Sequence, residues 1–340
     1  MSFKVTLKPS GHSFEVGEDE VILDAAIRRG LSMQYGCRNG VCGSCKGKVV
    51  EGEINYPGGL PGAISEAEDA VGQVLLCSAR ARSDLILEVH EIGSGNEVPV
   101  RKMPARVVRL ERLAPDVMRL DLKLPDTERM QFLAGQYIDI LLADGRRRSF
   151  SMANAPHDDA CLVLHVRRVE GGEFTNHVFE GMQEKDILRI EGPFGTFTLR
   201  EESPRPMIFI AGGTGFGPIK SVIEHAFQEG VTRPMYLYWG TRDRAGLYLN
   251  DLAQSWAARE NFTYVPVLSE AKTEDNWQGR TGLVHETVME DFSDLSSYDV
   301  YVCGPPPMVE AARQGTAQKG LSRRQFFYDS FDFADDSGKK

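Results

Sequence analysis

The stretch YGCRNGVCGSCKG, residues 35–47, constrains this chain more than any other. Cys37, Cys42 and Cys45 are spaced C-x4-C-x2-C, and Cys77 follows in QVLLCSARA. Thiolates grouped in this way hold metal. Zinc sites favour paired C-x2-C knuckles, two to a site, whereas the x4, x2 and distant spacing is that of a two-iron, two-sulfide cluster. Bridging sulfides carry negative charge and need backbone N–H donors turned inward. Gly36, Gly40, Gly43 and Ser44 let the backbone wrap closely enough to supply them. Zinc and a plain thiol-bearing loop are the competing readings. The N-terminal text MSFKVTLKPSGHSFEV alternates like a strand and has no apolar signal core. No apolar run approaches the roughly 20 residues that cross a bilayer. The chain is therefore expected in the cytoplasm, where thiols stay reduced and disulfides are rare.

The 340 residues read as three units. Residues 1–92 open with alternating segments at Phe3–Leu7 and Ser13–Val16. An apolar helix pattern at Val21–Arg29 stops at Gly30, and the strand-like GKVVEGEI follows the cysteines. Residues 93–104 are rich in Gly, Ser and Pro and read as a linker. Residues 105–203 carry short alternating runs, ARVVRLERL, VMRLDLKL, QYIDILL, CLVLHVRRV and DILRIEG, the grammar of an antiparallel β-barrel. Residues 204–340 switch to buried strand, glycine turn and helix in PMIFIAGGTGFGPIKSVIEHAFQEG, the grammar of a doubly wound α/β domain. Net charge is −10 and no unit is strongly basic, which argues against nucleic acid or an anionic membrane as partner.

The first unit resembles plant-type ferredoxins. That implies a β-grasp fold with a [2Fe–2S] cluster on Cys37, Cys42, Cys45 and Cys77, near the surface. GRRRSFSMAN, residues 145–154, resembles the R-x-Y/F-S flavin motif of the ferredoxin–NADP reductase superfamily. The resemblance implies that Arg148 pairs with the pyrophosphate of FAD. Phe150, after the intervening Ser149, would lie against the isoalloxazine, and Ser151 would hydrogen-bond near N5. The chemistry agrees, since guanidinium suits phosphate and an aromatic face suits a flat ring. Phe150 stands where the motif usually has Tyr, which keeps the ring contact and loses a hydroxyl. In HVRRVEGGEFTNHV, Gly171 and Gly172 precede Thr175, read as the N-cap of a helix whose start receives the flavin phosphates in the superfamily. His165 is counted among the cofactor-binding positions. Neither it nor His177 has metal-ligand spacing, and otherwise they read as core or surface residues.

FIAGGTGFGPIKS places Gly212, Gly213, Thr214 and Gly215 at a tight turn and Pro218 in the first turn of a helix. The free N–H groups there favour a dinucleotide pyrophosphate. The text departs from G-x-G-x-x-G and matches the G-G-T-G-x-x-P form of the same superfamily. YVCGPPPMV matches that superfamily's C-G-P-x-x-M signature through Cys303, Gly304, Pro305 and Met308, which implies that Cys303 lies beside the nicotinamide. Near the end, FFYDSFDF fits the family pattern of an acidic residue followed two positions on by a flavin-covering aromatic. Asp329 and Phe331 are the candidates, with Phe327 and Phe333 as rivals.

Ferredoxin, flavin and nicotinamide modules in this order resemble the reductase components of bacterial oxygenase systems, of the phenol hydroxylase, methane monooxygenase and benzoate dioxygenase type. The nearest subgroup is named for CDP-6-deoxy-glucoseen reductase. The resemblance implies an NADH-dependent oxidoreductase in which hydride passes from nicotinamide to flavin, aligned by Ser151 and Cys303. Single electrons then pass through the cluster to a protein acceptor, an oxygenase or deoxysugar dehydrase component. FAD stands between because hydride carries two electrons and the cluster takes one. Arg242 and Arg244 favour a 2′-phosphate and hence NADPH, while Asp243 favours NADH; the resemblance tips the choice to NADH, with NADPH as the alternative. Two other classes are a reductase of ferric chelates or free flavin, which the cluster loop counts against, and a redox sensor, which the nicotinamide motifs count against. The chain is expected to be a monomer on its own.

Overall fold

The computed structural model describes residues 2–29, 31, 33–35, 38–41, 43–89, 98–128 and 130–331. Cys37, Cys42, Gly30, Gly36 and Phe333 lie outside them. The chain divides into two compact units, Met1–Val100 and Arg101–Lys340.

In the first unit, β1 (Ser2–Lys8) and β2 (Ser13–Gly17) form an antiparallel hairpin whose alternation buries Val5, Leu7, Phe14 and Val16. The helix α1 (Ile22–Arg28) buries Ile22, Leu23, Ala25 and Ala26. It is followed by β3 (Lys46–Glu51), β4 (Ile54–Asn55), α2 (Glu66–Ala70), β5 (Gln73–Leu75), β6 (Arg80–Ala81) and β7 (Leu85–Glu88). The main sheet runs β2-β1-β7-β3-β5, with β1 and β7 parallel in its middle. This is the expected β-grasp arrangement.

The second unit begins with β8 (Arg101–Ala114), β9 (Val117–Lys123), β10 (Tyr137–Leu141), β11 (Arg147–Ser151), β12 (Leu162–Arg167), α3 (Glu173–Glu180) and β13 (Ile187–Phe194). The strands follow the order β11-β10-β13-β8-β9-β12, and a bridge between Met152 and Leu164 joins the two ends into a barrel. Its first strand starts inside the stretch read as linker. Met103 and Pro104 pair with Ile190 and Arg189, and Met103 is buried in the barrel core. The proline and the preceding glycines made this segment look irregular, but β8 accommodates Pro104 while the buried Met103 anchors the strand.

The chain continues as β14 (Met207–Gly212), α4 (Phe216–Gln228), β15 (Met235–Thr241), α5 (Asn250–Trp256), β16 (Phe262–Leu268), β17 (Arg280–Thr281), α6 (Val284–Asp291), β18 (Asp299–Gly304), α7 (Pro306–Gln318) and β19 (Phe326–Ser330). The sheet is all parallel, in the order β17-β16-β15-β14-β18-β19. β14 and β18 read as unbroken apolar runs because both faces are covered, and all six residues of each are buried. The chain winds outward from β14 to β17, then returns to lay β18 on the other side of β14. Such a reversal opens a crevice at the carboxyl ends of those two strands.

The α/β core is fastened to the segment leaving the barrel by Tyr301. Its ring stacks on Phe209 at 5.1 Å, and its buried hydroxyl accepts the Arg200 N–H at 3.0 Å. Tyr301→Phe leaves that N–H without its acceptor, at a cost of about 1–3 kcal/mol. All three tryptophans, Trp239, Trp256 and Trp277, lie in the α/β domain. The expected result is a lower midpoint of urea unfolding followed by tryptophan fluorescence, at unchanged slope.

Candidate functional site

The first site is the cysteine loop. β3 and β5 pair with Lys46 opposite Leu75, and the Leu76 N–H donates to the Cys45 carbonyl at 3.2 Å, extending the ladder past both strands. Cys45 and Cys77 thereby reach neighbouring positions, and both are buried. The loop between α1 and β3, which leads to Cys45, turns through left-handed residues at Arg38 (φ 59°), Gly40 (φ 76°) and Gly43 (φ 75°). Backbone of this kind points its N–H groups into one concavity. Arg38 adopts that conformation at some strain and is held there by its guanidinium, which donates to Asp24 of α1 at 2.8 Å. A side chain at Gly40 would meet Pro61 and the Ser78 hydroxyl, each at 2.8 Å. Sulfur donors beside a concave run of amides fit an iron–sulfide cluster. The positions of Cys37 and Cys42 lie outside the described residues.

The second site forms around β11. Alternation puts Arg147, Ser149 and Ser151 on one face and Arg148 and Phe150 on the other. The Ser149 hydroxyl donates to Asp139 at 2.7 Å. Phe150 is half-buried against Phe174, with ring centroids 5.5 Å apart. Arg146 pairs with Glu173 at the start of α3, bringing Arg148 toward that helix end. Burial, and then the Arg146 charge, lower the Arg148 pKa. Positive charge is thus crowded and partly desolvated there, a condition that a pyrophosphate relieves.

Thr175 proves not to be the helix cap. Gly172 is the N-cap of α3, and Thr175 is its third residue. The Thr175 hydroxyl points back and accepts the Val169 N–H at 3.1 Å, closing the turn that Gly171 makes at φ 74°. A side chain at Gly172 would sit 2.6 Å from that hydroxyl, so the cap position must be glycine. The first amides of α3 have no acceptor within the helix and suit phosphate.

The third site is the crevice between β14 and β18. Gly213–Gly215 form a 3-10 turn leading into α4, with Thr214 buried in it and Pro218 in the first turn of the helix. A side chain at Gly215 would lie 2.1 Å from the Cys303 carbonyl, and one at Gly212 would lie 2.5 Å from Met308 Sδ. Pro305 is the N-cap of α7. The two nicotinamide signatures therefore interlock, and the absent side chains leave a cradle that fits a dinucleotide. Arg167 reaches this crevice from the barrel, its Nη1 being 2.6 Å from where a Gly213 Cβ would stand. Sequence reasoning missed Arg167, although strand alternation sets it on the same face of β12 as His165.

His165 lies where barrel and α/β domain meet. Its Nδ1 lies 3.1 Å from the Tyr248 hydroxyl and it packs against Gly217 of α4, so it is a contact between barrel and α/β domain. Ser151 and Asp329 do come together: the Ser151 hydroxyl donates to Asp329 Oδ2 at 3.1 Å. Asp329 is the register partner of Cys303. Burial, and then the Asp329 carboxylate, push the Cys303 thiol well up, so it is a neutral S–H. Phe331 is tied to the same place by its N–H, which donates to the Gly304 carbonyl at 2.9 Å. Of its rivals, Phe327 packs on Tyr301 at 4.9 Å beneath the Arg200 guanidinium, and Phe333 lies outside the described residues.

The Asp243 carboxylate caps the turn at Arg244–Gly246, accepting the Gly246 N–H at 3.1 Å, and lies 3.8 Å from Lys272. Arg242 is exposed and 4.0 Å from Glu270, while Arg244 donates to the Asp275 carbonyl at 3.0 Å.

Known proteins match the same three parts. The 2Fe-2S iron-sulfur cluster binding domain matches residues 5–82, the oxidoreductase FAD-binding domain residues 104–199, and the oxidoreductase NAD-binding domain residues 209–314. The CDP-6-deoxy-L-threo-D-glycero-4-hexulose-3-dehydrase reductase of Yersinia pestis is 40% identical over 97% of this chain and 99% of its own length. The phenol 2-monooxygenase reductase component DmpP of Pseudomonas sp. (strain CF600) is 37% identical, over 97% and 95%. Among solved structures, the Amycolatopsis cytochrome P450 reductase GcoB superposes with a TM-score of 0.83 at 32% identity, covering 97% of this chain and 98% of that one. Fold and sites define an oxidoreductase with [2Fe–2S], FAD and NAD modules in one chain. The chain belongs to the ferredoxin–NADP reductase superfamily, among the three-module reductases related to oxygenase and hexulose-dehydrase reductase components.

The His165 contact gives the protein a pH signature. Burial, and then the charges of Lys220 and Arg119, push its pKa down from 6.5 to about 3. Below pH 6.5 the unfolded chain takes up a proton that folded His165 refuses, so stability falls as pH falls through this window. The slope approaches about 1.4 kcal/mol per pH unit from this one group. His165→Gln should flatten the loss of the urea midpoint between pH 7 and pH 5.

Proposed function

We propose that this chain is the NADH-oxidising reductase of a two-protein system, handing single electrons to a separate oxygenase or dehydrase component. The observation that carries the reading is the Ser151–Asp329 hydrogen bond, which joins the flavin-motif strand to the strand flanking Cys303. When bound, FAD supplies the conversion of a two-electron hydride into single electrons, and the cluster supplies their exit. In this reading Arg148 and the amides of α3 bind the flavin phosphates. Ser151 orients the flavin edge, and Asp329 holds the Ser151 hydroxyl in place. Cys303, a neutral thiol packed in the strand, shapes the nicotinamide pocket without carrying charge into it. Gly212–Gly215 and Arg167 receive the dinucleotide pyrophosphate, and Phe331 covers the flavin face.

No helix among the described residues is long and apolar enough to cross a membrane. A reducing compartment suits the thiolate ligand set, and a cytoplasmic monomer that meets its acceptor transiently is the arrangement proposed. The two relatives named above differ in what they serve, a hexulose dehydrase in one case and a phenol monooxygenase in the other. Both fit a chain whose outlet is a cluster loop rather than a substrate pocket.

Cys42→Ser tests the path. The variant should lose its iron and its transfer to a one-electron protein acceptor, while NADH-to-ferricyanide turnover stays within about twofold of native, because flavin discharges directly. Zinc in place of iron in the native protein, or joint loss of both activities, overturns the arrangement.

The nicotinamide preference is tested separately. kcat/KM for NADH should exceed that for NADPH by at least about tenfold, or about 1.4 kcal/mol of transition-state binding. Asp243→Asn keeps an acceptor for the Gly246 N–H and removes the charge, and should narrow the gap. Equal efficiencies in the native enzyme would instead assign Arg242 and Arg244 to a 2′-phosphate.

A further inference from the structure

The residues that follow the glycine turn, Lys220 and Ser221 of α4, reach across to the barrel. Ser221 is fully buried. Its hydroxyl donates to the Asn154 carbonyl at 2.7 Å and accepts the Gly135 N–H at 3.3 Å. Lys220 Nζ donates to the Ala153 carbonyl at 3.0 Å and pairs with Glu224 at 2.6 Å. Ala153 and Asn154 are the second and third residues beyond β11, the strand ending in Ser151. That seat is stiff. The Met152 N–H donates to the Gln136 carbonyl at 2.9 Å, and the Ala153 N–H donates to the Val163 carbonyl at 2.7 Å. The Asn154 side chain holds the Asp158 and Cys161 carbonyls and the Val163 N–H. Gly217, also on α4, packs directly against Ala153, its Cβ position lying 3.4 Å from that side chain.

We propose that Ser221, supported by Lys220, is a positioning residue for hydride transfer: it fixes the helix that carries the nicotinamide-binding turn against the backbone of the flavin strand. The α/β domain is thus held at two points of this segment, by Ser221 and Lys220 on the carbonyls of Asn154 and Ala153 and by Asp329 on Ser151 itself. Hydride transfer moves two electrons and one proton from nicotinamide to flavin in a single step, so its rate depends steeply on the separation and angle of the two rings. A donor buried at the helix seat sets that separation without touching either ring. The proposal rests on the reductase reading, which NADH-dependent flavin bleaching in the native enzyme tests independently.

Ser221→Ala and Ser221→Thr are compared with the native holoenzyme in four measurements: FAD content, NAD+ affinity by calorimetry, amide hydrogen exchange of residues 152–155, and stopped-flow flavin reduction with NADH and with NADH deuterated at the transferred position. For Ser221→Ala we expect faster exchange at the seat and NAD+ affinity and FAD content within about twofold of native. Flavin reduction should be at least about tenfold slower, with a larger isotope effect, and Ser221→Thr should restore most of the rate. A rate within about twofold of native, or a loss matched by lost FAD or lost NAD+ affinity, overturns the proposal. If Ser221→Ala does not accumulate as folded protein, Lys220→Met carries the test. A slower, more isotope-sensitive reduction in that variant supports the proposal, and an unchanged one overturns it. Native enzyme that fails to bleach with NADH refutes the reductase reading itself.

Discussion

The carboxyl ends of β14 and β18 come within main-chain contact, and nearly everything in the second unit depends on that approach. A Cβ at Gly215 would stand 2.1 Å from the Cys303 carbonyl, and one at Gly304 would stand 3.0 Å from Gly212 Cα. No side chain fits into such gaps, so the turn, the start of α4 and the Cys303 strand are specified together. Once the strands touch, the amides of the turn face one crevice. Cys303 is then sealed from water, and β19 is laid alongside β18 with Asp329 at its carboxyl end. The stacked pair Phe216–Trp239, 3.9 Å between centroids, and the Trp239 indole N–H donated to the Gly213 carbonyl stiffen the turn from beneath.

Electrostatics divide the labour. Positive groups stand beside the two amide-rich turns, Arg148 by the start of α3 and Arg167 over Gly213. Asp329 pairs in register with Cys303, whose thiol burial keeps neutral. Two of the contacts between barrel and α/β domain are made by neutral groups, a hydroxyl on a carbonyl at Ser221 and an uncharged imidazole on a phenol at His165. Charged groups take part too: Lys220, which Glu224 neutralises, and Asp329, which accepts the Ser151 hydroxyl.

Much of this was legible in the sequence where chemistry demands a residue type at a fixed spacing. The cysteine loop, the GGTG turn and the CGP segment are of that kind, because sulfur and the absence of a Cβ have no substitutes. The fold class was legible from periodicity, with alternating runs in the barrel and unbroken apolar strands in the parallel sheet. What escaped were residues whose role depends on who faces them. Thr175 looked like a cap because a hydroxyl precedes an apolar run, yet a two-glycine turn had already placed the cap at Gly172. Residues 101–104 looked like linker because Pro104 outweighed Met103, whose burial shows only in the folded barrel. Ser221 and His165 are ordinary residues in ordinary positions, and nothing local marks them as the contacts between two domains.

The Ser151–Asp329 bond joins residues 178 positions apart. At about 5–20 residues per second of synthesis, the barrel emerges on the order of ten seconds or more before the strand that carries Asp329. During that interval the flavin strand and its seat are complete while the carboxylate that holds Ser151 does not yet exist outside the ribosome. A parallel strand added last, at the edge of its sheet, also forms contacts that are long in sequence and slow to find. The strand that carries Ser151 therefore takes its place in the barrel well before the partner of its hydroxyl has been made.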